Sequence, residues 1–238
     1  MPGAIIYNGP SEIDGKPIVV IVIWKSTNSK TGAMLQTYIL RSDIDPRDAN
    51  KSGEDKSICG SCRHRGKPTK NKKKKLAKGR TCYVNMGQGV LIVYRAFLAG
   101  RYPDYTTPAK RRAVGRKRNV RIGTYGDGAA APTYVWDELL SEADGHTAYS
   151  HNGGDPVRYM ISADTLQQAQ QAWASKYRTF RVVRDVSEID SKHETLCPAS
   201  KEAGYRTTCE SCLLCGGTSV KAKSIAIPVH GRGAVHFQ

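Results

Sequence analysis

The sequence predicts an α/β fold: a partial (β/α) barrel with parallel strands, an N-terminal β-hairpin and cysteine-rich loops suited to a metal or cluster. Three observations predict it. From residue 119 onward, short β-branched runs alternate with helical segments, the pattern of βαβ units around a parallel sheet or barrel. Near the N-terminus two apolar runs flank a stretch of turn residues. Seven cysteines fall into one group of three and one group of four.

Residues 18–24 are rich in Val and Ile and predict a strand; residues 36–40 predict a second. Between them, residues 26–32 (Ser-Thr-Asn-Ser-Lys-Thr-Gly) have turn chemistry and fit a hairpin. Lys30-Thr31 lacks the Gly-x4-Gly-Lys spacing of a phosphate loop, so the turn reading is preferred. Residues 43–118 form a cysteine- and lysine-rich insertion, within which 91–98 fits either a helix or a buried strand. The βα region spans 119–238. Strands are expected at 120–125, 146–150, 158–162, 178–183 and 224–229. Helices are expected at 132–143, with Pro132 near the first turn, and from a cap at Asp164 or Thr165 through Ala174. A length of 238 residues suits a single domain with a core of its own.

No apolar run approaches the roughly 18–20 residues of a membrane span, so no membrane partner is expected. The first residues carry no basic region, long apolar stretch or cleavage site, so no signal peptide is expected. A cytoplasmic location follows, in which thiols stay reduced. Seven cysteines also cannot all pair.

The net charge of +16 is concentrated. Residues 63–80 hold ten Lys or Arg and no acid, and 110–121 hold seven more and no acid. The other 20 basic residues nearly balance the 21 acids. Two basic runs on a near-neutral body point to local contact with a polyanion, a nucleic acid or nucleotide. The expected phosphate contacts are Lys70, Lys72, Lys73, Lys74 and Lys75 in the first run and Arg111, Arg112, Arg116, Lys117 and Arg118 in the second. Tyr83, Tyr94, Tyr102 and Tyr105 lie between or beside these runs, where aromatic rings suit stacking on unpaired bases.

Cys209-x2-Cys212-x2-Cys215, with Cys197 twelve positions earlier, supplies four thiolates. Such a set closes a tetrahedral zinc site or binds an iron–sulfur cluster. Cys59-x2-Cys62 with Cys82 supplies three. Either a fourth ligand such as His64 completes a zinc site, or three thiolates leave an open position of the kind catalysis needs. The first basic run lies between Cys62 and Cys82, so a polyanion held there would be presented to the metal.

In parallel α/β architectures the site lies at the carboxyl ends of the strands. Here those ends are Gly126-Asp127, Ser150-His151, Ala163-Asp164, Arg184-Asp185 and His230-Gly231. They predict a polar pocket in which Asp127, His151, Asp164 and His230 position substrate or move protons.

Several stretches together resemble a family of phage- and plasmid-encoded proteins. They are residues 28–32, Cys59-Gly60-Ser61-Cys62, Cys82-Tyr83-Val84-Asn85, residues 122–127, residues 177–181 and the segment from Cys197 to Cys215-Gly216-Gly217. That resemblance implies no established activity. A more distant likeness is to radical S-adenosylmethionine barrels, in the order strand, cysteine loop, then a glycine turn with an acid after the next strand. It implies that Cys59, Cys62 and Cys82 hold a four-iron–four-sulfur cluster and that Thr124, Tyr125, Gly126 and Asp127 contact S-adenosylmethionine. The usual Cys-x3-Cys-x2-Cys spacing is replaced here by Cys-x2-Cys with 19 residues before Cys82.

Three functions follow as expectations. The first is an iron–sulfur enzyme acting on nucleic acid or a nucleotide. The second is a zinc-stabilised nucleic-acid-binding protein for replication or host takeover. The third is a divalent-metal nuclease built on Asp127, His151, Asp164 and His230, disfavoured by the lack of paired carboxylates.

Overall fold

The computed structural model describes residues 3–25 and 28–237. Ser26 and Thr27, the first two positions of the expected hairpin turn, lie outside the described residues. The strands on either side pair as expected. β1 (Gly3–Pro10), β2 (Pro17–Ile23) and β3 (Leu35–Arg41) form an antiparallel meander. Six of the seven residues of β2 are buried, because this central strand is covered on both faces, which is why it is apolar without alternation. β1 was not expected from the sequence: Asn8-Gly9-Pro10 resembles a turn, yet these residues pair with Pro17 to Val19.

The chain then enters helices α1 (Pro46–Ser52) and α2 (Lys56–Cys59). After the lysine-rich loop come α3 (Leu91–Leu98) and α4 (Pro108–Gly115). The ambiguous segment 91–98 is therefore helical, with Leu91, Val93, Tyr94 and Ala96 buried. α4 begins at Pro108, whose missing N–H costs nothing at a helix start. Gly115 sits where a Cβ would overlap the Leu139 carbonyl, so it lets α4 pack against the next helix.

From here strands run parallel. β4 (Asn119–Tyr125) adds to β3, and β5 (Gly145–Thr147) adds to β4 after α5 (Thr133–Leu140). Trp136 on α5 is fully buried and its indole N–H donates to the Gly128 carbonyl at 2.9 Å. A second sheet has the order β6-β7-β8-β10-β9, all parallel. Its strands are β6 (Tyr149–Ser150), β7 (Met160–Ala163), β8 (Thr179–Val183), β9 (Glu194–Leu196) and β10 (Ser224–Pro228). Helix α6 (Leu166–Ala174) joins β7 to β8; its cap is Thr165, whose hydroxyl accepts from the Gln168 N–H. Helix α7 (Cys209–Cys212) lies in the four-cysteine segment.

The expected strand at 146–150 is thus two short strands in two sheets. Ala148 separates them: its N–H donates to the Cys215 carbonyl and its carbonyl accepts from the Met160 N–H. The four-cysteine loop takes one of the backbone bonds that an uninterrupted strand would use. The fold is α/β with parallel strands, and no helix among the described residues is long and apolar enough to cross a membrane.

The interior holds a buried ion pair, Arg181 with Glu194, at 2.8 and 2.5 Å, which ties β8 to β9 across β10. Removing one partner of such a pair leaves a buried charge uncompensated. Glu194→Ala is expected to lower stability by about 3–5 kcal/mol, read as a shift in the denaturant unfolding midpoint.

Candidate functional site

The carboxyl ends of β4, β6 and β7 meet the first cysteine loop. Cys59 ends α2, and Gly60 turns the chain at φ +53. Arg65 clamps this bend by donating to the Asp55 carboxylate and to the carbonyls of Gly53 and Gly60. The N–H groups of Thr81 and Cys82 both donate to the His64 carbonyl, which closes the loop between Cys62 and Cys82 at its neck. Beyond the neck, Lys67 and Lys78 exchange two backbone bonds of 2.8 Å. Gly66 is required there: its φ is +81, and a Cβ would lie 2.7–2.9 Å from the backbone of Lys78 and Arg80. The lysine run is therefore a hairpin-like loop standing on the cysteine group. Lys70, Lys72, Lys73, Lys74 and Lys75 are all exposed on it.

The second basic run behaves differently. Arg111 is 4% exposed and donates to the Ile6 carbonyl and the Glu138 carboxylate, so it packs α4 in place rather than offering a free cation. Arg118 donates to the carbonyls of Trp24 and Ala33, Arg116 pairs with Glu142, and the Lys117 N–H donates to the Glu142 carbonyl. Arg112 is half-buried. Arg116, Lys117 and Arg118 precede β4, whereas the lysine loop is tied to the far end of β4. The two basic runs lie at opposite ends of this strand.

Asp127 is the junction at the carboxyl end. Its N–H donates to the Ile58 carbonyl at 2.6 Å. One carboxylate oxygen accepts from the Ala129 N–H; the other accepts from the His151 N–H at 2.9 Å and from Asn152 Nδ2 at 2.7 Å. Asn152 also donates to the Cys59 carbonyl and accepts from the Ser61 N–H. Nearby, the Thr124 hydroxyl donates to Gln36, and Gly126 sits where a Cβ would press on Ile39. Tyr125 is buried, and its hydroxyl has no hydrogen-bond partner among the described residues. Burial first, then the neighbouring Cys59, raises its pKa well above the ordinary value.

Burial likewise raises the thiol of Cys59, helped by Asp55 and then Cys62, and that of Cys82, where Arg80 opposes it in part. Ligation by a metal would displace those protons. Among the described residues, however, the set of three or more ligand types whose donor atoms all lie within 4.8 Å of one another is His64, His151 and Asp164. Neither cysteine group brings three sulfurs within that span. His151 Nε2 is 3.1 Å and His64 Nε2 is 3.9 Å from Asp164 Oδ1. Burial opposes a charge on His151, but hydrogen bonds with Asp164 and Cys62 outweigh it and lift its pKa to about 10. Burial and the neighbouring His151 push His64 down to about 4. Burial also opposes ionisation of Asp164, but His151, His64 and Arg63 together hold it below the usual carboxylate range.

His230, expected in the same pocket, instead donates from Nδ1 to the Pro228 carbonyl and packs its ring 5.1 Å from that of Tyr83. Sequence reasoning missed Thr81, whose hydroxyl holds His64 Nδ1 at 2.8 Å, and Asn152. Asn152 directly follows a strand-end His, which was the available signal; Thr81 left none. It also missed Arg121 as an interior group. Arg121 is buried, and its guanidinium donates to Tyr83 and Tyr149 at 2.7 and 2.8 Å, while Tyr149 stacks on Phe180 at 4.2 Å.

The four-cysteine group lies at the other end of the strands. Cys209 N–H donates to the Lys30 carbonyl, and Glu210 accepts from Ala33 and, through its carbonyl, from Asn119. Arg178 donates to the carbonyls of Leu214, Gly217 and Lys223, holding the loop from within. Cys197, Cys209, Cys212 and Cys215 line one cavity of about 20 Å³ together with Thr147 and Ile225. The buried Thr147 hydroxyl has no partner among the described residues. Burial pushes the Cys215 thiol up to about 12, helped by the nearby Cys197 and Cys209. Thiols are the ligand type of a structural zinc or iron–sulfur site, but no three of these sulfurs come within 4.8 Å of one another here.

Asn152→Ala would strip four hydrogen bonds, two to Ser61, one to Cys59 and one to Asp127, that join the cysteine loop to Asp127. A loss of about 1–3 kcal/mol is expected, read by denaturant unfolding, together with faster amide exchange at Ser61. No protein-family model, no curated protein and no solved structure matches this chain.

Proposed function

We propose that the chain is a metal- or iron–sulfur-dependent enzyme acting on nucleic acid or a nucleotide, with its reactive centre at Cys59, Cys62 and Cys82. The observation that carries this reading is the closed neck at His64 and Cys82. It brings three cysteines to the base of a loop bearing five exposed lysines, against the carboxyl ends of parallel strands. A polyanion on the lysines would lie over the cysteines.

The finer architecture belongs to the same proposal. β3, β4 and β5 run parallel in chain order in one sheet, and β6, β7 and β8 do so in a second, where β10 follows β8 and β9 lies outside β10. The cysteine loop follows the first of these and the Gly126 turn follows the second. The parallel runs on either side of the β5–β6 break support a partial barrel of the radical S-adenosylmethionine type, from which the β10-β9 crossover departs. Three thiolates with no fourth cysteine fit a four-iron–four-sulfur cluster that keeps one iron open, and the unpartnered Tyr125 hydroxyl beside Cys59 fits an absent group. Such a cluster supplies one-electron chemistry. The chain's own part is to hold it, to exclude water with the buried Tyr125, and to hold phosphates on Lys70 and Lys72 to Lys75. S-adenosylmethionine fits less well on Asp127, whose carboxylate already accepts three N–H groups. The reading therefore rests on the cysteines. Cys197, Cys209, Cys212 and Cys215 would hold a closed structural zinc.

The exposed lysine loop also favours a second reading, a zinc-stabilised nucleic-acid-binding protein without chemistry. Anaerobic purification with metal and sulfide analysis separates the two. About four irons with labile sulfide and a brown chromophore, lost in Cys59→Ser, are expected of the enzyme. A colourless protein with zinc alone would overturn it. Replacing Lys72, Lys73, Lys74 and Lys75 with Gln is expected to lower the slope of log K against log salt by about 0.7–0.9 per lost phosphate contact. An unchanged slope would remove nucleic acid from both readings.

A further inference from the structure

We propose that His64, His151 and Asp164 form a second metal centre, adjoining the cysteine group at the His151–Cys62 hydrogen bond, that binds one divalent transition-metal ion with open coordination positions. The donors come from three segments: His64 from the cysteine loop, His151 from the end of β6, Asp164 from the end of β7. Their donor atoms all lie within 4.8 Å of one another. Ligands about 2.1 Å from a shared ion stand roughly 3–3.5 Å apart. The 3.1 Å between His151 Nε2 and Asp164 Oδ1 meets this, and the 3.9 Å from His64 Nε2 needs only a small ring rotation.

A simple His–Asp hydrogen bond would explain His151 and Asp164 but not the setting of His64. Thr81 holds His64 at Nδ1, so that Nε2 turns toward Asp164. Phe237 stacks on the His64 ring, 6.1 Å between centroids and 8° between planes. The backbone N–H of His151 is held by Asp127, and that of Asp164 by Gln168 Oε1. A bond to the other ring nitrogen of a histidine ligand, such as that of Thr81 to His64, orients the ligand and is worth about 10- to 100-fold in affinity. Two imidazoles and one carboxylate favour zinc, ferrous iron or cobalt over magnesium or calcium. Three protein ligands leave room for water or a substrate oxygen. Asp164 also lines a cleft of about 360 Å³ with Thr165, Leu166, Arg184 and Phe237, a lining that includes neither histidine.

The proposal does not depend on a cluster at Cys59, Cys62 and Cys82, and the test keeps the two apart. Co²⁺ would be titrated into the full chain and followed by bound cobalt per chain and by the optical spectrum, since thiolate ligands give intense charge-transfer absorption and N/O ligands do not. Asp164→Asn and His64→Gln are expected to lose about one cobalt per chain with the thiolate absorption unchanged. Thr81→Val is expected to bind that cobalt about 10-fold or more weakly. Cys59→Ser with Cys82→Ser is expected to keep it. Cobalt uptake unaffected by both Asp164→Asn and His64→Gln would overturn the proposal. So would loss of thiolate absorption in the His64 variant, which would make His64 the fourth ligand of the cysteine site. Far-ultraviolet dichroism of each variant guards against misfolding, and recovery of the cobalt in Asp164→Glu would tie it to the carboxylate.

Discussion

The buried carboxylate of Asp127 is the interaction on which the carboxyl end of this protein depends. It lies where β4 stops and accepts N–H groups from its own turn, from His151 and from Asn152. Through its own N–H to Ile58 and through Asn152 to Cys59 and Ser61, it joins two strand ends to the cysteine loop. Hydrogen bonds to a charged group contribute about 1.5–3 kcal/mol each. A carboxylate so engaged acts as a positioning group. Its value to the proposed chemistry is that it holds His151 and the Cys59 loop in mutual register.

Interior arginines do comparable work elsewhere. Arg65 joins the carbonyl at the sharp Gly60 bend to that of Gly53, and Arg178 gathers three carbonyls under the four-cysteine loop. Arg121 spans from β4 to the Tyr83 and Tyr149 hydroxyls. Irregular loops leave backbone carbonyls without ladder partners, and a planar guanidinium satisfies several at once. Part of the large positive charge is therefore structural, and the lysine loop is the exposed remainder. Charge alone could not divide Arg111 from Lys72, because both sit in runs without acids. Burial against Glu138 divided them.

The two cysteine groups lie at opposite ends of the parallel strands, and their surroundings differ accordingly. The four cysteines line one small cavity, and their loop is tied to Lys30, Ala33 and Asn119. The three-cysteine group adjoins His64, His151 and Asp164 through the His151–Cys62 hydrogen bond, and Asp164 also lines a surface cleft. A closed site suits stability, and an accessible one suits chemistry.

Local pattern was enough for much of this. β-Branched runs separated by turn residues made most parallel strands legible, and the Thr165 cap followed from a hydroxyl ahead of a helical run. The grouping of the cysteines followed from spacing alone, and so did His151 and Asp164 as strand-end residues. Other features required three dimensions, because they rest on contacts between residues far apart in the chain. The pairing of β1, the division of one strand at Ala148 by the Cys215 loop, and the burial of Arg111 and Arg121 are of this kind. So is the meeting of His64 with His151 and Asp164, which lie about ninety and one hundred positions further on and face one another only after the cysteine loop folds back over the strand ends. Residue types and spacing determined which groups could bind a metal; only the tertiary structure decided which of them share a site, because donor atoms must converge within a few ångströms of one ion.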